Sequence, residues 1–125
     1  MEYKWNKEER RHFIRIEKHF IISYYDKSDP EIKHNISQLK NISLGGMCFI
    51  TSTKYVGGTK IGIDLRTPYV AESVHIDGTV LESHEKVPKI IYETRLAFDA
   101  LSNEAEIVLK KIVETFLKIL REKTR

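Results

Sequence analysis

The sequence predicts a mainly β protein, in which a six-stranded antiparallel barrel is followed by one C-terminal amphipathic helix. Between residues 13 and 98, apolar and polar side chains alternate in six short runs that turn-forming residues separate. After residue 103, apolar residues instead recur at helical spacing. Short strands in hairpin order followed by one helix indicate a closed or nearly closed barrel with the helix packed on it.

The strands are predicted from period-two alternation. In the first run, Ile14, Ile16 and Ile22 share one parity and Arg15 and Glu17 take the other, which indicates a strand with one face on a core. The six strands are expected at about residues 13–24, 36–42, 47–51, 60–65, 74–80 and 89–98. The connections carry turn chemistry, at residues 26–30, 43–46, 57–58, 66–68 and 83–88.

The helix is expected at about residues 103–122. Ser102 or Asn103 can cap its first turn, and Glu106 stands three residues after Asn103 as in a capping box. Its apolar stripe consists of Leu109, Ile112, Val113, Phe116, Leu117 and Leu120. Ile107, Val108 and Ile119 widen the stripe, so the helix either only closes the barrel or also leaves a face for a partner or a second copy. Monomer and homodimer both stay open.

Composition is that of an ordinary globular domain. The chain has 125 residues, of which 41% are hydrophobic and 31% are charged, so neither a disordered nor a membrane protein is indicated. No apolar signal segment or membrane-spanning stretch is present, and the lone Cys48 lies in an apolar run as a buried thiol would. We expect a cytoplasmic protein without membrane insertion, with residues 1–12 as a mobile or short helical segment before a domain of residues 13–125.

Two short segments carry the functional signal. The first contains three arginines within residues 10–15, and guanidinium groups match phosphate oxygens and the O6/N7 edge of guanine with paired hydrogen bonds. The second, residues 41–46, is a polar turn with two glycines between apolar runs, which can add hydrogen bonds and let a ligand approach the backbone. Together they indicate one site for an anionic, guanine-containing ligand.

The order and spacing of these segments resemble a known family. The chain contains Arg-x-x-x-Arg (Arg11, Arg15) and then Asn-x-Ser-x-x-Gly (Asn41, Ser43, Gly46), which resembles the signature of the PilZ domain family. The resemblance covers most of the chain and implies a six-stranded PilZ-like barrel that binds the bacterial second messenger cyclic di-GMP, with no other cofactor. The ligand-binding residues that it implies are Arg10, Arg11, Arg15, Asn41, Ser43, Gly45 and Gly46.

One position departs from the family's pattern. Some members have a Gly-x-Val-x-Trp segment, and here Glu82 stands where the stacking indole would be, close to an anionic ligand. Glu82 cannot stack as an indole does, and whether its carboxylate weakens binding stays open. The arginine and turn contacts are unaffected by it.

Two hypotheses follow from the resemblance. In the first, the protein is a stand-alone, non-catalytic receptor in which cyclic di-GMP orders the segment from Arg10 to Arg15, and an unidentified downstream protein partner responds to the change. The resemblance implies control of motility, biofilm, polysaccharide synthesis or virulence by such partners. In the second, the domain is an adaptor with weak or no nucleotide binding that acts through protein contacts.

Enzymes and nucleic-acid modules are the rival classes. The histidines form no His-x-x-x-His pattern, Ser43 is not in a Gly-x-Ser-x-Gly elbow, and Gly57-Gly58-Thr59-Lys60 lacks the spacing of a phosphate loop. Small barrels include single-strand binders with aromatic platforms, for which the candidates are Tyr24, Tyr25, Tyr55 and Tyr69. Because the chain has no dense basic stripe, we expect no nucleic-acid partner.

Overall fold

The fold is one curled antiparallel sheet with a helix packed on its concave, apolar face. The computed structural model describes residues 14–15, 21–36, 38–66 and 73–123. The elements are β1 (Ile14–Arg15), β2 (Ile21–Asp26), β3 (His34–Asn35), β4 (Gln38–Ile42), β5 (Gly46–Thr51), β6 (Lys60–Arg66), β7 (Val74–Val87), β8 (Ile91–Phe98) and α1 (Asn103–Lys123). The strand order is β1-β4-β5-β8-β7-β6-β2-β3.

The core lies inside the curl. Side chains of β5, β6 and β8 that point inward, such as Phe49, Ile63 and Leu96, are almost completely buried. The helix contacts β7, β1 and β4 and adds Leu109 and Ile112 to the same core. The predicted alternation therefore reflects the two faces of the sheet correctly, with one face on the core and the other toward solvent.

The prediction of six strands is wrong, and the barrel that was expected to be closed or nearly closed is a half-barrel. In the described part of the chain the sheet has eight strands, and no hydrogen-bonded ladder joins its edge strands β1 and β3, so it is a half-barrel. The two described parts of the expected first strand have different neighbours, since Ile14 and Arg15 pair with β4 whereas residues 21–26 pair with β6 and β3. Alternation tells which face a side chain takes, but it does not tell which strand is the neighbour.

The hairpin of β7 and β8 is also longer than predicted. Residues 83–87, expected in a connection, continue β7, and Ser83 and His84 pair with Thr94 and Glu93. The chain turns at residues 88–90, where Lys89 has the left-handed φ of +62°. Two register shifts in β7 interrupt its alternation, and most of its distal side chains are exposed, so the segment has the polar composition of a loop.

The helix begins with a side-chain cap from Ser102, whose hydroxyl accepts a hydrogen bond from the backbone N–H of Ala105 at 3.1 Å. Its buried face includes Val108 and Leu109, while Ile107 and Leu117 are exposed. The expectation that Leu117 belongs to the core-facing stripe is therefore wrong. In the described ranges, no helix is long and apolar enough to cross a membrane.

Candidate functional site

The polar turn between β4 and β5 is fixed by hydrogen bonds. The backbone N–H of Ser43 donates to the carbonyl of Gly46 at 2.9 Å, and the Ser43 hydroxyl accepts from the N–H of Gly45 at 3.1 Å. The carbonyl of Gly45 accepts from the N–H of Phe98 at 2.8 Å, which ties the turn to the end of β8. These hydrogen bonds therefore hold the turn on the strands that flank it.

Gly46 is required by the packing of two strands. It pairs with Ala97 of β8, and a Cβ atom at this position would lie 2.2 Å from the carbonyl oxygen of Leu96. Because that oxygen belongs to the backbone, the contact could be relieved only by moving a strand. Gly45 has no such constraint, since its nearest contact would be the Ser43 hydroxyl at 3.7 Å.

A continuous row of residues crosses four strands beside this turn. Asn41 of β4 pairs with Cys48 of β5, Cys48 pairs with Arg95 of β8, and Arg95 pairs with Glu82 of β7. A register shift between Leu39 and Asn41 turns Asn41 outward together with its neighbour in β4. Because neighbouring strands lie about 4.8 Å apart, the Cα atoms of Asn41 and Arg95 are separated by about 10 Å. We call these four residues the lateral row.

A cavity of about 270 Å³ lies over this part of the sheet. The turn residues Asn41 and Ser43 form one part of its wall, and Leu81 and Arg95 form another. Its remaining lining residues are Gly45, Gly46, Met47, Cys48, Leu96 and Ala97. The structure therefore brings four of the predicted ligand-binding residues together at one cavity. Their contact with a ligand stays a prediction.

The predicted arginines are placed only in part. Arg15 lies in β1 and pairs with Gln38 of β4, three residues before Asn41 along that strand. The backbone that carries Arg15 is thus adjacent to the strand that leads into the turn. Arg10 and Arg11 lie outside the described residues, so their roles stay predictions.

A buried carboxylate organises the charges next to the cavity. Glu93 of β8 accepts hydrogen bonds from the ammonium groups of Lys40 at 2.8 Å and Lys86 at 2.9 Å, and from the Cys48 thiol at 3.3 Å. Burial alone would raise the pKa of Glu93, but these three donors outweigh it and lower the pKa to about 2. Glu93 is therefore ionised at neutral pH and satisfied by its neighbours.

Cys48 is a buried thiol, as predicted from its apolar run. Burial, and then its hydrogen bond to the carboxylate of Glu93, raise the pKa of Cys48 to about 12. The thiolate is the nucleophilic form, so this cysteine is poorly suited to covalent chemistry. Cys48 also lines the cavity as a small, buried side chain.

Glu82 and Arg95 form an ion pair at the cavity wall. The guanidinium Nη1 of Arg95 lies 3.1 Å from Oε1 of Glu82, and Nε2 of His84 lies 3.1 Å from the same oxygen. The hydrogen bond from Arg95 is the main reason that the pKa of Glu82 is lowered. The carboxylate that the sequence indicated near the ligand is thus paired with a cation in the same region.

Sequence reasoning missed Arg95, although one signal pointed to it. Glu93, Arg95 and Ala97 alternate with the apolar residues of β8, which places them on the outer face of the sheet. Their position beside Asn41 depends on the register of three strand pairs. No local motif carries that information.

The rival site types find little support in the structure. Among the described residues, no group of three or more His, Cys, Asp or Glu side chains could hold a metal ion. Tyr24 and Tyr55 are buried in the core and pack edge-on against each other, so they do not form an exposed stacking platform. Tyr69 lies outside the described residues.

The model of the PilZ domain family matches residues 9–115 of the chain, which include both predicted motifs and most of the helix. Among curated proteins, no sequence matches the chain. The sequence comparison therefore depends on the family model.

Several solved structures are similar to this fold. The structure of Bacillus subtilis MotI/DgrA, described as an inhibitor of motility, has a TM-score of 0.57 and 16% identity over 87% of this chain and 52% of that chain. K. pneumonia MrkH in its apo state has a TM-score of 0.58 at 16% identity over 98% and 56% of the two chains. The MrkH complex with c-di-GMP has a TM-score of 0.59 at 16% identity over 89% and 53%. The chain spans about half the length of these proteins, and at this identity the similarity shows the fold alone.

Proposed function

From the match over residues 9–115 the chain belongs to the PilZ domain family, and on that premise we propose that it is a non-catalytic receptor for cyclic di-GMP. The observation that carries the proposal is the position of Asn41 and Ser43 at one cavity, next to the strand that pairs with the backbone of Arg15. That one of the similar structures is a complex with c-di-GMP supports the same ligand.

The chemistry of the cavity suits one end of such a ligand. Cyclic di-GMP offers two phosphates and two guanines, and drug-sized ligands occupy sites of about 300–1,000 Å³. A cavity of about 270 Å³ is sufficient for one guanine rather than for the whole molecule. We therefore assign one guanine to the amide of Asn41 and the hydroxyl of Ser43, and the phosphates and the other guanine to the arginine segment, residues 10–15.

Signalling follows from the same assignment. Like charges within residues 10–15 repel in the free protein, and the ligand's phosphates neutralise them and draw Arg10 and Arg11 toward Arg15, which already lies in β1 of the sheet. The ordered segment then presents or hides a surface for a downstream protein partner. One similar structure is described as an inhibitor of motility, which supports control of motility as one output.

Calorimetric titration with cyclic di-GMP tests the proposal, because it gives both the affinity and the number of ligands per chain. Arg11→Ala and Arg15→Ala should each weaken binding by about 2–5 kcal/mol if the arginines make buried charge contacts. Arg66→Ala is the matched control, since Arg66 is an exposed arginine at the end of β6 and does not line the cavity.

Ser43→Ala should cost about 1 kcal/mol of binding free energy, as expected for one neutral hydrogen bond. Unchanged affinity in both arginine variants would remove the proposed site. A larger loss from Ser43→Ala than from the arginine variants would show that the assigned roles are wrong.

A second candidate is an adaptor that binds nucleotide weakly or not at all, and the observation behind it is the carboxylate of Glu82, which is paired with Arg95 at the cavity. In this case the family motif is kept, but a carboxylate close to the cavity opposes an anionic ligand. A titration without saturable heat, at protein concentrations that detect millimolar affinity, would leave the adaptor as the supported function.

A further inference from the structure

We propose that Arg95 is a further ligand-binding residue outside the two motifs and that Glu82 is its internal competitor, so that the ion pair opens when the ligand binds. This inference rests on the proposed function. The ligand group is one that offers paired hydrogen-bond acceptors, as the O6/N7 edge of guanine does.

The position of Arg95 at the cavity is the first observation that supports a role in ligand binding. In the lateral row, only the small, buried Cys48 stands between Asn41 and Arg95, and both of these residues line the cavity. A flat base lying over Cys48 would therefore meet an amide on one side and a guanidinium on the other. A planar guanidinium with its fork of donors matches paired acceptors with two parallel hydrogen bonds.

The local structure of β7 carries the second step. A register shift between Val80 and Glu82 inserts Leu81 as an extra residue, which lies half-exposed in the cavity wall. The same shift brings Glu82 opposite Arg95 on the outer face. Bulges of this kind commonly redirect side chains beside functional sites. Here the bulge places Leu81 as an apolar contact for the ligand and places the carboxylate of Glu82 where it forms an ion pair with Arg95.

The ion pair is suited to opening. The side chains of Arg95 and Glu82 are 55% and 42% exposed, and exposed ion pairs of this kind are weak. When Arg95 turns to a ligand, Glu82 keeps a second partner in His84, at 3.1 Å from the same oxygen. The carboxylate is therefore not left without a partner in the ligand-bound state.

The neighbouring Glu93 does not compete with the ligand for Arg95. It lies on β8 two residues from Arg95 but already accepts hydrogen bonds from Lys40, Lys86 and Cys48. Its ionised carboxylate is neutralised by the two lysines. The competition for Arg95 is therefore assigned to Glu82.

A double-mutant cycle with cyclic di-GMP in calorimetry tests the inference. Arg95→Gln should weaken binding about tenfold, as expected for a charge-assisted contact. Glu82→Gln should strengthen binding about two- to fivefold, which is the range that an exposed ion pair provides. The double variant should bind like Arg95→Gln, because removing the competitor has no effect once the cation is absent.

Matched controls separate this effect from overall charge. Glu85→Gln makes the same charge change on the same strand, at an exposed residue that does not line the cavity, and should leave affinity unchanged. Arg66→Gln is the corresponding control for Arg95→Gln. Circular dichroism and the midpoint of urea unfolding establish that each variant is folded, and Glu82→Gln keeps the inference testable if Arg95→Gln does not fold.

Three results would overturn the inference alone while cyclic di-GMP still binds the wild-type protein. These are wild-type affinity in Arg95→Gln, equal effects of Glu82→Gln and Glu85→Gln, and a gain from Glu82→Gln that persists without Arg95. Absence of saturable binding by the wild-type protein would instead remove the proposed function, and this inference with it.

Discussion

Glu93→Gln should destabilise the protein at neutral pH and remove part of its sensitivity to acid. Burial and the donors around Glu93 leave its pKa at about 2 rather than the ordinary 4.5. Since each pKa unit corresponds to about 1.4 kcal/mol, ionised Glu93 contributes at most about 3.5 kcal/mol to folding. The side chains of Lys40 and Lys86 are 41% and 44% exposed, so solvent screens these pairs and we expect about 2 kcal/mol.

The direction in which the free energy of unfolding changes with pH follows from the lowered pKa of Glu93. A carboxyl that is more acidic in the folded protein stabilises it fully above the unfolded pKa, near 4.5 for glutamate, and this stabilisation is lost as pH falls through about 2. Urea unfolding followed by circular dichroism should therefore give a lower free energy of unfolding for Glu93→Gln at pH 7. The difference from the wild-type protein should narrow as the pH is lowered from 5 toward 2.

Glu85→Gln is the control for this measurement, because Glu85 is an exposed glutamate of β7. Its free energy of unfolding should stay within about 0.5 kcal/mol of the wild-type value at each pH. Equal stability of Glu93→Gln and the wild-type protein at pH 7, or a difference between them that does not change with pH, would refute the reasoning.

Three further predictions follow from the geometry. Gly46→Ala should lower the free energy of unfolding by about 1–3 kcal/mol in urea titration, because the new methyl group overlaps the backbone of β8. Alkylation of Cys48 by iodoacetamide at pH 8 should be at least about a hundredfold slower in the folded protein than in urea, because the thiol is buried and its pKa is about 12. Burial lowers the pKa of His75, but its hydrogen bonds to Asp64 and Asp77 raise the pKa by more than burial lowers it. The net shift of the pKa is therefore upward. The stabilisation of the folded protein by protonated His75 should be complete below about pH 6.5. It should disappear as pH rises through the pKa of His75 in the folded protein, which NMR titration of the ring locates.

Each of these has a contrasting measurement. Gly45→Ala should cost less stability than Gly46→Ala, since its Cβ would meet only a hydroxyl at 3.7 Å, and the reverse order would show that the strand contact is not limiting. Alkylation at equal rates in folded and unfolded protein would contradict the burial of Cys48. For His75, the His75→Asn variant should lose the pH dependence that lies between about pH 6.5 and the folded pKa of the ring, and an unchanged profile would assign that dependence to another group.

The sequence predicts the face of a residue better than the partner of a strand. In the strand expected at residues 60–65, the alternating apolar residues Ile61, Ile63 and Leu65 are all buried, because alternation records burial directly. The run of residues 13–24 was expected as one strand, but Arg15 and Ile21 belong to strands with different neighbours. Pairing depends on contacts between distant segments, which no local pattern contains.

The candidate site likewise contains some residues that the sequence can identify and others that it cannot. Asn41, Ser43 and the two glycines could be identified because they form one continuous turn. Arg95 could not be identified, since its place at the cavity depends on the registers of β4, β5 and β8, together with the bulges in β4 and β7. The requirement for Gly46 was also hidden, because the atom that excludes a side chain belongs to Leu96, fifty residues later.

The lateral row also bears on the choice between receptor and adaptor. An indole at position 82, as in the Gly-x-Val-x-Trp pattern of some family members, would offer a stacking surface and leave the guanidinium of Arg95 available. Glu82 offers no stacking surface, and its carboxylate forms an ion pair with the guanidinium of Arg95. Both side chains of this ion pair are substantially exposed. Exposed pairs change equilibria only a few-fold, so the carboxylate is too weak a competitor to abolish binding. If the chain binds cyclic di-GMP as proposed, this ion pair therefore predicts reduced affinity and not loss of the ligand.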